Sequence, residues 1–260
     1  MAPQAQRSAR RITQEPSGHS EAGRGWFITL EGVEGSGKST QAAVVMDWLR
    51  ARGIPCRLVR EPGGTPLGER LRQLLLNGEG RPVPVAEMLL FAAARAQLVE
   101  TVILPALLAG ETVVCDRYLD SSLAYQGTGL GLGWDAVWSV NRWSTRGLLP
   151  DLTLVFDCPP EVARARRRRP GDDIERRDDA FHQRVREAYL ALARTEGHRV
   201  VLVDASRPEP AVAADVRRAL ERRLARGAAW PAGRSDALTP KRATQGTAST
   251  RAMTRDERGG

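Results

Sequence analysis

Five short apolar runs rich in β-branched residues recur along the chain: WFITLE (26–31), CRLVR (56–60), TVVCD (112–116), LTLVFD (152–157) and RVVLVD (199–204). Each reads as a strand, and all but the second end on an acid. Between them the period changes to that of a helix. Residues 38–52 follow a glycine loop, and 86–109 form a long apolar pattern that Pro105 is expected to bend or break. The segment 178–194 places Phe181, Val185, Ala188 and Leu192 on one face, and 210–224 does the same with Val212, Val216, Leu220 and Leu224. Strands alternating with helices predict βαβ units, hence an α/β fold with a parallel sheet covered on both faces. Ligands of such sheets bind at the carboxyl ends of the strands, where these runs stop and polar residues begin.

A chain of 260 residues holds one domain of ordinary size with tails. The net charge of +8 looks like a nucleic-acid signal until it is located. Residues 1–25 carry +2, residues 228–260 carry +3, and the whole middle, 26–227, also carries +3. The two ends are rich in Gly, Ser, Thr, Pro and Ala without hydrophobic periodicity, and read as disordered tails around one domain at 26–227. Cys56, Cys115 and Cys158 are odd in number and widely spaced, as reduced thiols in the cytoplasm would be. They form no metal-ligand cluster with His19, His182 and His198. No apolar run approaches the roughly 18 residues that cross a bilayer, and no apolar stretch follows the N-terminal arginines as in a secretory signal.

The chemistry starts at EGVEGSGKST, Glu31 to Thr40. Gly32 to Ser39 match the phosphate-loop pattern G-x-x-x-x-G-K-S/T, directly after a strand and before a helix, as that motif requires. Backbone N–H groups of Gly32, Val33, Glu34, Gly35, Ser36, Gly37, Lys38, Ser39 and Thr40 are candidates to cradle the phosphates of a nucleoside triphosphate. Lys38 would reach the β- and γ-phosphates, and the Ser39 hydroxyl would ligate Mg²⁺. The loop alone leaves kinase, GTPase, ATPase motor and passive binder open. A second site follows from REPGGTPLGERLR after the second strand and CDRYLDSSLAYQG after the third. Arg60 and Arg117 stand at adjacent strand ends and can grip one phosphate from two sides. A triphosphate cradle and a separate clamp suggest two nucleotides facing each other.

EGVEGSGKST, REPGGT, FAAARAQLVE, DRYLDSSLAYQG and RPGDDIE resemble, in order and spacing, the thymidylate kinase (dTMP kinase) family of P-loop nucleoside monophosphate kinases, bacterial type. The resemblance runs from about Trp26 to about Leu224. It implies phosphoryl transfer from ATP with Mg²⁺ to dTMP, giving dTDP and ADP, on a three-layer α/β/α P-loop fold with a five-stranded parallel sheet, usually as a homodimer. It also assigns roles. Arg60 and Arg117 are the clamp on the dTMP phosphate. Phe91 stacks on the thymine, and Arg95, at i+4 on the same face, donates to a pyrimidine carbonyl. Ser122, Tyr125 and Gln126 line the base and sugar, Tyr125 crowding the 2′ position. Ser122 departs from the Asn of some members. Glu34 faces the acceptor, hydrogen-bonding its 3′-hydroxyl or ordering Mg²⁺ and water. Asp116 orients Arg117 or metal-bound water and is not a base.

Some members carry an arginine where this chain has Gly35. The lid, about 164–176, then supplies the charge from RARRRRPGDDIE, with Arg166 or Arg168 the first candidates. The segment VDASRP, Asp204 to Pro208, resembles the one packed against the ATP adenine. Trp134, Trp138 and Trp143 form a stripe read as core or dimer contact. Two other readings stand beside this one: a related kinase for another pyrimidine acceptor, and a P-loop ATPase that uses the tails and arginine run on nucleic acid. The near-neutral middle and the Arg60–Arg117 pair argue against the second, so no specific nucleic acid and no membrane are expected as partners.

Overall fold

The computed structural model describes residues 24–77, 80–166, 174 and 176–224. Its five strands are β1 (Phe27–Glu31), β2 (Cys56–Arg60), β3 (Thr112–Asp116), β4 (Leu152–Asp157) and β5 (Val200–Asp204). They form one all-parallel sheet in the order β2-β3-β1-β4-β5, the expected α/β fold. The helices are α1 (Lys38–Arg50), α2 (Pro66–Asn77), α3 (Pro84–Leu98), α4 (Leu104–Leu108), α5 (Leu119–Ser122), α6 (Trp134–Ser144), α7 (Pro160–Ala165), α8 (Asp179–Thr195) and α9 (Glu209–Leu224).

Alternation along the strands makes two cores, one on each sheet face. Ile28, Leu30 and Val114 point into one core, which Val45 of α1, Val185 of α8 and Val216 of α9 complete. Phe27, Val113 and Cys115 point into the other, with Leu98 of α3, Leu107 of α4 and Val137 of α6. The central strand β1 is buried throughout. The edge strands expose Leu58 and Leu202, so the sequence CRLVR reads as a buried run but lies at a border.

Regular α-helix is interrupted just before Pro105, as expected, though the chain stays helical: a π-turn, Val99–Ile103, joins α3 to α4, and Pro105 falls in the first turn of α4, where the changed turn accommodates the missing N–H. The helical stretch Pro84–Leu108 has 25 residues and is long and apolar enough to cross a bilayer by length and composition, against the expectation that nothing in the chain would be. Here Leu98, Ile103 and Leu107 are fully buried in the second core. The tryptophan stripe of α6 is divided: Trp134 is half-buried and packs against both cores, its Nε1 donating to Thr128 Oγ1 at 2.8 Å, while Trp143 is 88% exposed. At the N-terminal border, Arg24 and Gly25, counted with the tail, are tied to the domain. Arg24 pairs with Asp151 at 2.8 Å and the Gly25 N–H donates to Leu107 O at 2.9 Å. The expected tails otherwise lie outside the described residues, as does Arg168.

Candidate active site

Register places the functional loops side by side. Leu30 of β1 and Arg60 of β2 are both partnered with Asp116 of β3, so the loops after these three strands leave one edge of the sheet together. The phosphate loop runs from β1 into the N-terminus of α1, whose unpaired N–H groups and dipole favour an anion. Lys38 is buried, its Nζ donating to the carbonyls of Gly32 at 3.2 Å and Val33 at 2.8 Å. Burial and the Arg117 charge pull its pKa below the ordinary lysine value, and Glu34, Asp116 and Glu31 oppose them.

Gly35 has φ +83°, and a Cβ there would stand 2.2 Å from the carbonyl oxygen of Ala163. The helix leading to the lid thus closes over this position, and an arginine cannot occupy it as α7 stands. Gly35→Ala is expected to lower kcat at least tenfold by pushing α7 off the loop, while far-UV circular dichroism stays that of the parent. Parent-like turnover in Gly35→Ala would contradict this packing.

Arg117 adopts φ 72°, rare for a residue with a Cβ. The turn sends its guanidinium back over the loop. Nη2 donates to Glu34 Oε2 at 2.7 Å, and Nη1 donates to Gly32 O at 3.0 Å and to Ser121 Oγ at 3.3 Å. The carboxylate inside the phosphate loop is thus neutralised by Arg117, with Lys38 Nζ 3.9 Å away. The Asp116 carboxylate faces Ser39, whose hydroxyl lies 3.4 Å from Oδ2. Asp116 Oδ1 is buried with no hydrogen-bond partner among the described residues. A hydroxyl and a carboxylate with an orphaned oxygen, beside a polyphosphate cradle, are the hard-oxygen donors that Mg²⁺ takes when phosphates complete its shell.

Beside Arg117 lies a cavity of about 620 Å³, much of it open to solvent. Phe91, Ser122, Tyr125 and Gln126 all line it, as the sequence led us to expect. Tyr125 and Gln126 sit on a π-helical run, Leu123–Gly129, and the Arg117 guanidinium stands 5.1 Å from the centre of the Tyr125 ring. Two expected residues are not in the lining. Arg95 is 1% exposed and is held behind the wall. Its Nε donates to Glu61 Oε2 at 2.7 Å, and its Nη atoms donate to Ser122 Oγ at 2.9 Å, to Tyr118 O at 3.1 Å and to Asn141 Oδ1. It therefore holds Ser122 from behind the wall of this cavity. Arg60 is exposed and doubly hydrogen-bonded to Glu69. The second arginine of the lining is Arg72 of α2, whose Nη1 donates to Pro62 O at 3.0 Å. It lies twelve residues after Arg60 in REPGGTPLGERLR, where nothing in the sequence sets it apart from Arg70.

A second cavity, of about 560 Å³ including open solvent, shares Glu34 and His182 with the first. Its wall adds Ala163, Arg164, Arg176 and Arg177. Arg166, a leading lid candidate, is elsewhere: Nη1 donates to Ala205 O at 2.6 Å and Nη2 to Ser206 O at 3.2 Å. It clasps the turn after β5, the segment compared above with an adenine contact. The lid segment returns through Ile174, which is buried in the first core and lines the first cavity.

Two buried carboxyls belong to the site: Glu31 lies beneath it and Glu61 is in the wall of the first cavity. Glu31 accepts from Tyr118 N at 2.7 Å, Ser121 Oγ at 2.6 Å and Tyr189 Oη at 2.9 Å. Burial and the Asp120 charge push its pKa up to about 7 against those hydrogen bonds. Burial does the same to Glu61, again to about 7, opposed by Arg95. Both folded values lie above the ordinary 4.5, so the folded chain holds more protons than the unfolded one across that window. Stability from these groups is therefore full below about pH 4.5 and is lost as pH rises to about 7, by up to about 1.4 kcal/mol per pH unit for each. Glu31→Gln keeps an acceptor for Tyr118 and should flatten the fall. Urea melts at pH 5, 6, 7 and 8 check this, and an unchanged slope in the variant would contradict it.

Comparison with known proteins now adds to this geometry. The thymidylate kinase family model matches residues 30–216. The thymidylate kinase of Deinococcus radiodurans is 48% identical over 202 residues, covering 77% of this chain and 98% of that protein. That of Leifsonia xyli is 50% identical over 203 residues, covering 77% and 96%. The crystal structure of thymidylate kinase from Ehrlichia chaffeensis superposes with a TM-score of 0.62 at 31% identity, covering 76% of this chain and 99% of that one. A family match over most of the chain, laid on a phosphate loop beside a second, arginine-lined cavity, places the chain in the thymidylate kinase family.

Proposed function

We propose that the chain transfers the γ-phosphoryl group of ATP to dTMP, giving dTDP and ADP, and so supplies the precursor of dTTP for DNA synthesis. The observation that carries this reading is the shared wall of the two cavities. Glu34, paired with Arg117, borders both, at the point where a nucleotide on the phosphate loop and one in the Phe91 cavity would meet. The loop and Lys38 hold the donor triphosphate. Arg117 and Arg72 grip the acceptor phosphate, Phe91 stacks on its base, and Tyr125 and Gln126 border base and sugar. The acceptor oxygen is already anionic near neutral pH, so position and charge suffice and no general base is needed. Mg²⁺, held by Ser39 and Asp116, would neutralise charge on the β- and γ-phosphates. Arg164, Arg176 and Arg177 line the lid-side cavity and can face the charge that develops there.

Arg72→Ala is expected to raise KM for dTMP at least tenfold, and Arg60→Ala no more than about threefold. The reverse order in initial-rate kinetics would return the clamp to Arg60. The transfer itself is tested with γ-labelled ATP, Mg²⁺ and dTMP. Label in dTDP supports the reading, and label released only as inorganic phosphate overturns it.

The same proposal covers setting and assembly. Cys56, Cys115 and Cys158 are free thiols, which suits the reducing cytoplasm. Val85, Leu89 and Leu74 of the α2–α3 pair and Trp143 of α6 are exposed, and we read them as the face of a homodimer, which sedimentation of the purified chain would show.

A further inference from the structure

Glu87 is an acid in the first turn of α3, 2% exposed, and the mechanism above makes no use of it. Its two oxygens are divided. Oε1 accepts from Nε2 of Gln126 at 2.9 Å, and Oε2 accepts from Nη2 of Arg177 in an ion pair whose side chains are both nearly inaccessible. Gln126 lines the cavity assigned to the acceptor, and Arg177 lines the lid-side cavity. A second path joins the same places: the Arg177 guanidinium lies 4.7 Å from the centre of the Phe181 ring, which packs edge-on at 6.0 Å against Tyr125.

A carboxylate paired with arginine accepts hydrogen bonds and donates none. The Gln126 amide must therefore turn its NH₂ toward Glu87, and its carbonyl oxygen is left for the cavity. We propose that Glu87 is a positioning residue: it fixes the face that Gln126 shows to the acceptor base and ties that face, through Arg177, to the wall of the second cavity. This rests on the reading of the Phe91 cavity as a pyrimidine nucleotide site. A carbonyl oxygen there accepts from an imide N–H, which thymine and uracil carry at ring position 3. Cytosine has a lone pair at that position, so the arrangement favours dTMP and dUMP over dCMP.

The test uses the full chain and three variants: Glu87→Gln, Arg177→Met and the double variant. Each is assayed for kcat and KM with dTMP and with dCMP, together with its melting temperature. Glu87→Gln frees the Gln126 amide to turn, so the preference for dTMP over dCMP should fall at least fivefold, mainly through KM for dTMP. Arg177→Met removes the cation that keeps Glu87 an acceptor only, so the preference should fall here too, by no more than in Glu87→Gln, together with kcat. The double variant leaves no unpaired buried charge. It should regain the parent's melting temperature but not its selectivity. If selectivity returns along with stability, or survives in Glu87→Gln, Glu87 is structural only and the proposal fails. A parent enzyme that turns over dCMP as well as dTMP would overturn the reading of the cavity itself, and this proposal with it.

Discussion

Lys38→Met is expected to lower kcat by about a thousandfold while the melting temperature moves by only a few degrees. Lys38 carries a positive charge held 4% exposed at the N-terminus of α1, and its contacts within the chain are the carbonyls of Gly32 and Val33 and the distant Glu34 carboxylate. Those contacts contribute little to the fold, because burying the ammonium opposes them. Facing a triphosphate, the same charge meets the oxygens on which negative charge grows during transfer, in a site partly closed to water, where removal of one such group costs about 10²–10³ in rate. Methionine keeps the stem and removes the charge. Steady-state kinetics and thermal melts on the same preparation decide the matter, and near-parent kcat in a folded variant would contradict the assigned role.

Arg117→Met is expected to lower kcat/KM for dTMP by a factor on the order of 10²–10³, and Glu34→Gln should recover part of that loss when the two are combined. Arg117 serves three groups at once: the Gly32 carbonyl, the Ser121 hydroxyl and the Glu34 carboxylate. Its loss removes a cation from the acceptor cavity and leaves the Glu34 charge uncompensated in the wall of both cavities. The variant therefore suffers twice, once through lost attraction for the acceptor phosphate and once through repulsion. Lysine cannot span the three partners with one ammonium, so Arg117→Lys should fall nearly as far. If the effects of Arg117→Met and Glu34→Gln simply add, the two residues act independently and this account of the loop carboxylate is wrong.

Much of the scaffold was legible because four of the five strands announce their own end. The acids Glu31, Asp116, Asp157 and Asp204 close β1, β3, β4 and β5 in the structure as in the sequence. A strand leaving the sheet passes from apolar burial to the polar crevice within one residue. The segment Leu119–Gly129 was not read as helical, because its polar residues and glycines break any apolar period. Its α-to-π backbone is imposed by packing against α6 and α8. Helical spacing correctly put Phe91 and Arg95 on one face but could not show that Glu61 and Asn141, 34 and 46 residues away in the chain, draw the arginine behind the wall. The same four-residue step extends back to Glu87, a signal present in the sequence and not used. Arg72 and Arg177 were hidden for a different reason. Arginine is frequent throughout the chain, and only the folded position tells a cavity arginine from a solvated one.

The most direct test of the central claim is ADP release by the full chain with ATP and Mg²⁺, measured side by side with dTMP, dUMP, UMP, CMP, AMP, GMP, single-stranded DNA and no acceptor. The two-cavity account predicts turnover led by dTMP with little in the blank. Turnover indifferent to every nucleotide acceptor and raised by DNA would contradict it, and would reassign the arginine-lined cleft to nucleic acid.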